Sequence, residues 1–348
     1  MHSAGPMKRT LPGAATWRAG EGGVLHRLML VAVLTAGASP LCAGPPVAGP
    51  PPAPSAAALT GSASEVLAID IERSSRFTLP VLVDGTGPFD FMIDTGSQAT
   101  AVTHEVRAAA GLVPAGKVML IGMASRREVE LARVGRMTFG GNALANFDAP
   151  VLARNHVGAD GIIGVDALQD LRVVLDFRKQ TIALEDVVPR SSRGGFEIVV
   201  RARHRRGQLL ITDALVEGVR ATVIIDTGAQ ASLGNLALRE RIRAKRARET
   251  VTSDVNGVDI AGELAIVRSL TIGGMALKEV PLTFADAPAF AALGLKDQPV
   301  LSVGMQHLAL FDRVAIDFSR SRILFDVPAD IARAMRDARR GSSYSTRF

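Results

Sequence analysis

The chain has 348 residues, 47% apolar and 21% charged, which excludes a disordered polymer and is long enough for two domains with separate cores. Its formal net charge is +6, of which residues 1–43 carry +3, so the remainder is too weakly basic to argue for nucleic acid as a partner. A single cysteine, Cys42, excludes an internal disulfide and a cysteine metal site, and the six histidines show no ligand spacing, so neither metal nor cofactor is expected.

Residues 1–43 read as an export signal, because Lys8, Arg9, Arg18 and Arg27 precede the apolar run Leu28 to Ala38, which is too short for a stable bilayer anchor. Cleavage fits after Ala38 or Ala43, and Met7 is an alternative start. The expectation is an exported protein, periplasmic or secreted, with no membrane span left after cleavage. Residues 44–65 are rich in Pro, Ala and Gly and read as a solvated tether.

From about Val66 the pattern changes to short apolar runs such as FTLPVLV, FDFMI, GRMTFGG and RVVLDF, broken by Gly, Pro and Asp. This predicts an all-β fold with short helices. The runs also repeat. FMIDTGSQA at 91–99 returns as VIIDTGAQA at 223–231, an offset of 132, and MTFGGNAL returns as LTIGGMAL at an offset of 133. GIIGVDAL, with Gly164, faces VLSVGMQHL, with Gly304, at an offset of 140, and VVLDF faces VAIDF at 141. A period of this size marks a duplicated domain and not a solenoid. Lobe one spans 66–188, a linker 189–195, lobe two 196–327, and a C-terminal helix and tail 328–348. The rise in offset places about seven extra residues in lobe two between Leu277 and Gly304, where PAFAALGLKDQP forms a surface loop or short helix.

Each DTG follows an apolar run, Phe91 to Ile93 or Val223 to Ile225, that a buried strand supplies. Such a strand presents its aspartate at a turn, where Gly96 or Gly228 lets backbone amides approach the carboxylate and favour its charged form. If the halves pack about a pseudo-twofold axis, Asp94 faces Asp226. Two carboxylates about 3 Å apart share one proton, which supplies a general base for water and a general acid for the carbonyl oxygen or leaving amine. A lone DTG reads better as a turn cap. Two in matched frames of one repeat read as a catalytic pair.

With these motifs in hand, residues 66–327 resemble a tandem of retropepsin-like domains, the aspartic peptidase group that also includes the two-lobed pepsins. The resemblance rests on Asp94-Thr95-Gly96-Ser97, Asp226-Thr227-Gly228-Ala229, Ile162-Ile163-Gly164 and, less cleanly, Ser302-Val303-Gly304. It implies that Asp94 and Asp226 bind the lytic water, that Thr95 and Thr227 interlock beneath them, that Gly164 and Gly304 brace the active-site loops, and that the Ser97 hydroxyl bonds the outer oxygen of Asp94. It further implies β-hairpin flaps over the cleft. The matching segments are Leu120 to Arg127, with Gly122, Met123 and Ala124, and Ser253 to Gly262, with Asn256 and Gly257. Neither carries the tyrosine of pepsins, which suggests backbone contacts to an extended peptide.

Asp176 and Asp317 recur in the repeat far from the DTG blocks and read as structural. The basic runs at 201–206 and 239–249 read as solvated faces, the second on a helix after the second DTG. The expectation is an aspartic endopeptidase acting on polypeptides as a monomer. A non-catalytic peptide-binding or scaffold protein on the same fold stands as the rival, motivated by the looser Ser302 signature and the plain flaps.

Overall fold

The computed structural model describes residues 29–30, 77–185, 196–243 and 245–333. The expected tether and linker lie outside the described residues, as do the tail beyond 333 and the expected leader apart from Met29–Leu30, which pairs in parallel with Leu120–Ile121. Residues 329–333 are helical where the description ends. Among the described residues no helix is long and apolar enough to cross a membrane.

Two sheets close on themselves in the same way, one in each half. In the first, Arg126–Phe139, Thr78–Val83, Thr86–Ile93, Gly161–Ile163, Ala101–Thr103 and Asn142–Leu152 pair in that order, and the last pairs back to the first. In the second, Asp259–Ile272, Gln208–Val216, Val219–Ile225, Val300–Val303, Leu233–Gly234 and Met275–Phe284 do the same. Closing a sheet into a ring removes its edges, and alternating residues then fill the inside. That core is aliphatic and phenylalanine-rich, with Val81, Phe91, Val134 and Met137 in one half and Ile211, Val223, Val267 and Leu282 in the other. The fold is therefore all-β and bilobal, with short helices.

A third sheet binds the halves together. Its order is Thr181–Glu185, Arg172–Asp176, Arg313–Asp317, Arg322–Asp326 and Ile198–Arg201, so two strands of the first half and three of the second form one ladder, joined where Arg172–Asp176 pairs with Arg313–Asp317. Asp176 and Asp317 end strands of this sheet. Asp176 accepts the Lys179 amide at 2.9 Å, and Asp317 accepts the Arg320 amide and the Arg322 guanidinium at 3.0 and 2.9 Å, in keeping with a structural reading.

One local expectation fails. The basic run 239–249 does not lie on a helix: helix Leu236–Arg239 ends at its first residue, and Lys245–Ser253 is a strand. Its Arg, Ala and Glu residues favour a helix in isolation, but hairpin pairing with Asp259–Ile272 outweighs that preference. The insertion in lobe two forms the short helix Pro288–Ala292, with Pro at its first turn where no intrahelical amide donor is needed.

Candidate active site

The two DTG loops are built by the same local device. Strand Thr86–Ile93 runs parallel to Gly161–Ile163, and the Asp94 amide continues the ladder to the Ile163 carbonyl at 3.0 Å. Strand Val219–Ile225 runs parallel to Val300–Val303, and the Asp226 amide reaches the Val303 carbonyl at the same distance. Each chain then turns sharply, so that the carboxylate folds back onto amides just ahead of it. Asp94 Oδ1 accepts from Gly96 and Ser97 at 2.8 and 2.9 Å, and Asp226 Oδ1 accepts from Gly228 and Ala229 at 3.1 and 3.0 Å.

The loops meet across the pseudo-axis, and the glycines show how closely. A Cβ built on Gly96 falls 2.6 Å from Cγ of Asp226, and one on Gly228 falls 2.3 Å from Cγ of Asp94. Each aspartate thus lies against the glycine of the opposite loop, where any side chain would occupy its space. Beneath them the threonines interlock. Thr95 Oγ1 donates to the Ile225 carbonyl at 2.7 Å and accepts the Thr227 amide at 3.2 Å, while Thr227 Oγ1 donates to the Ile93 carbonyl at 2.7 Å and accepts the Thr95 amide at 3.0 Å. Each hydroxyl satisfies one donor and one acceptor of the other half, as buried backbone groups require.

Asp94 is 0% and Asp226 1% exposed. Burial pushes the Asp226 carboxyl up to about 6, against the Ser302 hydroxyl and the Ala229 and Gly228 amides, which pull it down. The Ser302 hydroxyl donates to Asp226 Oδ2 at 3.0 Å. Ser97 does not play the expected part, because its hydroxyl donates to the Ala99 carbonyl at 2.8 Å, and only its amide reaches Asp94. A nearby acceptor in the same turn captures the hydroxyl.

The glycines after the inner strands sit where nothing larger fits. A Cβ on Gly164 falls 2.4 Å from the Ala99 backbone, and one on Gly304 falls 2.5 Å from the Ala231 carbonyl. Their amides are braced differently in the two halves. Gly164 donates to Thr100 Oγ1 at 3.1 Å, and that hydroxyl donates to Asp166 at 2.7 Å. Gly304 donates to Ser232 Oγ at 2.9 Å, and Ser232 lies 2.6 Å from Nδ1 of His307. Burial lowers the His307 pKa to about 4, which favours the neutral imidazole near pH 7, and the tautomer of that ring sets which partner donates in the Ser232 contact.

The expected flap segments are hairpin tips that meet each other. Gly122 to Ser125 joins Pro114–Ile121 to Arg126–Phe139, and Asp254 to Val258 joins Lys245–Ser253 to Asp259–Ile272. Asp254, only 2% exposed, accepts the Ala124 amide at 3.1 Å and the Ser125 hydroxyl at 2.7 Å, and the Asn256 amide group donates to Ser125 at 2.8 Å. Gly257 packs on the His156 ring. Met123 is buried against the second half, among Leu210, Ile224, Ala229 and Phe290. Beside Asp226 a cavity of about 10 Å³ is lined by Gly96, Met123, Gln208, Asp226, Phe290 and Ser302, space for about one water. A larger hollow of about 310 Å³ near Glu240 and Lys296 includes neither Asp94 nor Asp226.

Sequence reasoning named Ser302 only as a departure from the apolar-apolar-Gly signature, and it did not single out Asp254 or Gln208, whose side-chain amide donates to the Gly96 carbonyl at 3.0 Å. Ser302 did carry a signal, since a serine in the apolar run VLSV asks for a buried partner. Among the described residues no group of three or more His, Cys, Asp or Glu side chains is placed to hold a metal.

A family model described as aspartyl protease matches residues 79–167 and again 212–306. Among solved structures, a retropepsin-like aspartic protease from Rickettsia conorii is 21% identical, with a TM-score of 0.25, over 37% of this chain and 89% of its own. A crystal structure of edgp is 9% identical, with a TM-score of 0.37, over 75% of this chain and 98% of its own. No curated protein matches.

Proposed function

This chain belongs to the aspartyl protease family, as a tandem retropepsin-like protein with one family match in each half, and on that premise we propose that it is an aspartic endopeptidase whose dyad is Asp94 and Asp226. The observation that carries the proposal is reciprocal: each carboxyl rests against the glycine of the opposite DTG loop, so both face one point on the pseudo-axis.

In the proposed reaction the pair holds one proton. The ionised member takes a proton from a water, whose oxygen attacks the peptide carbonyl carbon. The protonated member gives its proton to the carbonyl oxygen. The tetrahedral diol then collapses, the C–N bond breaks, and the amine leaves with a proton returned through the pair. The two groups titrate as a unit, so acid and base are properties of the pair. Amides on each Oδ1 oppose the desolvation that keeps a buried carboxyl neutral.

Both carboxylates come from one chain, which supports a monomeric enzyme. We further propose polypeptide substrates in extended form, met outside the cytoplasm after export. Met123 of the first hairpin tip lines the small cavity beside Asp226, and that tip is tied to the second, so in this reading substrate reaches the pair when the tips part. The rival reading is a peptide-binding or scaffold protein on the same fold without turnover, motivated by the looser Ser302 signature and hairpin tips that carry no tyrosine.

Incubating the purified full chain with a denatured protein from about pH 3 to 7 separates the two. The enzyme predicts fragments that disappear in Asp94→Asn and in Asp226→Asn. Peptide binding without cleavage across that range supports the rival.

A further inference from the structure

We propose that Ser302 is a positioning residue of the dyad, its hydroxyl holding the outer oxygen of Asp226 in place of the hydroxyl that Ala229 lacks; this rests on the proteolytic reading of the site. The parallel register makes the comparison between halves direct. Ser302 lies opposite Ile224, and at the same step in the first half Ile162 lies opposite Met92. An aliphatic side chain in one half is thus a hydroxyl in the other, at a step otherwise filled by apolar residues.

Ser302 is 1% exposed. A hydroxyl buried in an apolar strand is costly unless it finds a partner, and this one finds Asp226 Oδ2 at 3.0 Å. Oδ1 of the same carboxylate is already committed to the Gly228 and Ala229 amides. Together the three donors fix the carboxylate plane. The residue three after Asp226, where Ser97 follows Asp94, is Ala229 and has no hydroxyl to give. Even Ser97 spends its own on Ala99.

The titratable group that faces Asp226 is Asp94, set there by the packing of each on the opposite glycine. Two other titratable groups nearby are engaged elsewhere, His307 with Ser232 and Asp254 with the first hairpin tip. A donor at Oδ2 stabilises the ionised carboxylate over the neutral acid. Removing it leaves an ionised Asp226 less favoured, so the pair releases its first proton at higher pH.

The test compares wild type, Ser302→Ala and Ser302→Thr. Ser302→Ala is expected to lower kcat about tenfold with KM retained, and to move the acid limb of the pH profile upward by about one unit. Ser302→Thr, which keeps the hydroxyl, restores the wild-type limb. An unmoved limb in Ser302→Ala, or an equal shift in Ser302→Thr, overturns the proposal. A second readout does not need turnover: the carboxyl titration of carbon-13-labelled aspartates by NMR. If wild type cleaves nothing and the Asp226 midpoint still rises in Ser302→Ala, proteolysis fails and the role of Ser302 stands. A midpoint that does not move overturns that role whatever the activity.

Discussion

His307→Asn should change how stability depends on pH. His307 is buried on the short helix Met305–Leu308, with Nδ1 against the Ser232 hydroxyl that also receives the Gly304 amide. Its pKa falls from 6.5 to about 4 on folding, because burial disfavours the imidazolium. A base with a depressed folded pKa contributes stability above its unfolded pKa and loses it as pH falls toward the folded value. Between pH 7 and pH 4 that loss amounts to about 3 kcal/mol. Asp226 acts in the opposite sense. Its pKa rises from 3.8 to about 6 on folding, so acidification through pH 6 toward 4 favours the folded state by about 2 kcal/mol. Wild type should therefore change little over this window through these two groups. Asparagine keeps an acceptor for Ser232 but does not titrate. In urea unfolding at pH 7 and pH 4, His307→Asn should gain about 3 kcal/mol relative to wild type on acidification, while Asp226→Asn should lose about 2. Other carboxylates cancel in the His307→Asn difference, whereas Asp226→Asn also alters the titration of Asp94, its partner in the pair. A His307→Asn difference that is the same at both pH values, within about 0.5 kcal/mol, refutes the assignment of a buried neutral imidazole.

Two further outcomes are expected. Thr227→Val leaves the Ile93 carbonyl and the Thr95 amide without partners at the join between halves, and should cost about 2–4 kcal/mol in chemical denaturation; the double variant with Thr95→Val should cost less than the sum of the singles, and strict additivity contradicts the interlock. Asp254→Asn keeps one acceptor oxygen for its own turn but none for the opposite tip, so the Ala124 amide should exchange with solvent at least about tenfold faster, and unchanged protection argues that the tips are held by something else.

Much of the fold was legible because duplication writes it twice. The DTG blocks gave the ends of two buried strands, and the downstream glycine blocks gave their parallel neighbours. The threonine interlock followed from the family resemblance. What stayed hidden depends on contacts between segments distant in sequence. Asp254 meets Ala124 and Ser125 from the opposite half, and no local pattern reports that. Ser302 looked like drift from an apolar signature until the register placed it beside Asp226. Ser97 misled for the opposite reason, since the Ala99 carbonyl two residues on competes locally for its hydroxyl. The run 239–249 was misread because side-chain propensity favours a helix there, whereas a hairpin partner decides the strand.

The most direct test of the account is the pH dependence of kcat/KM on one cleavable peptide for wild type, Asp94→Asn and Asp226→Asn. A shared-proton pair predicts a bell-shaped wild-type profile and a loss of at least about 10³-fold in both variants, with folding intact. Either variant retaining activity within about tenfold of wild type contradicts catalysis by the pair.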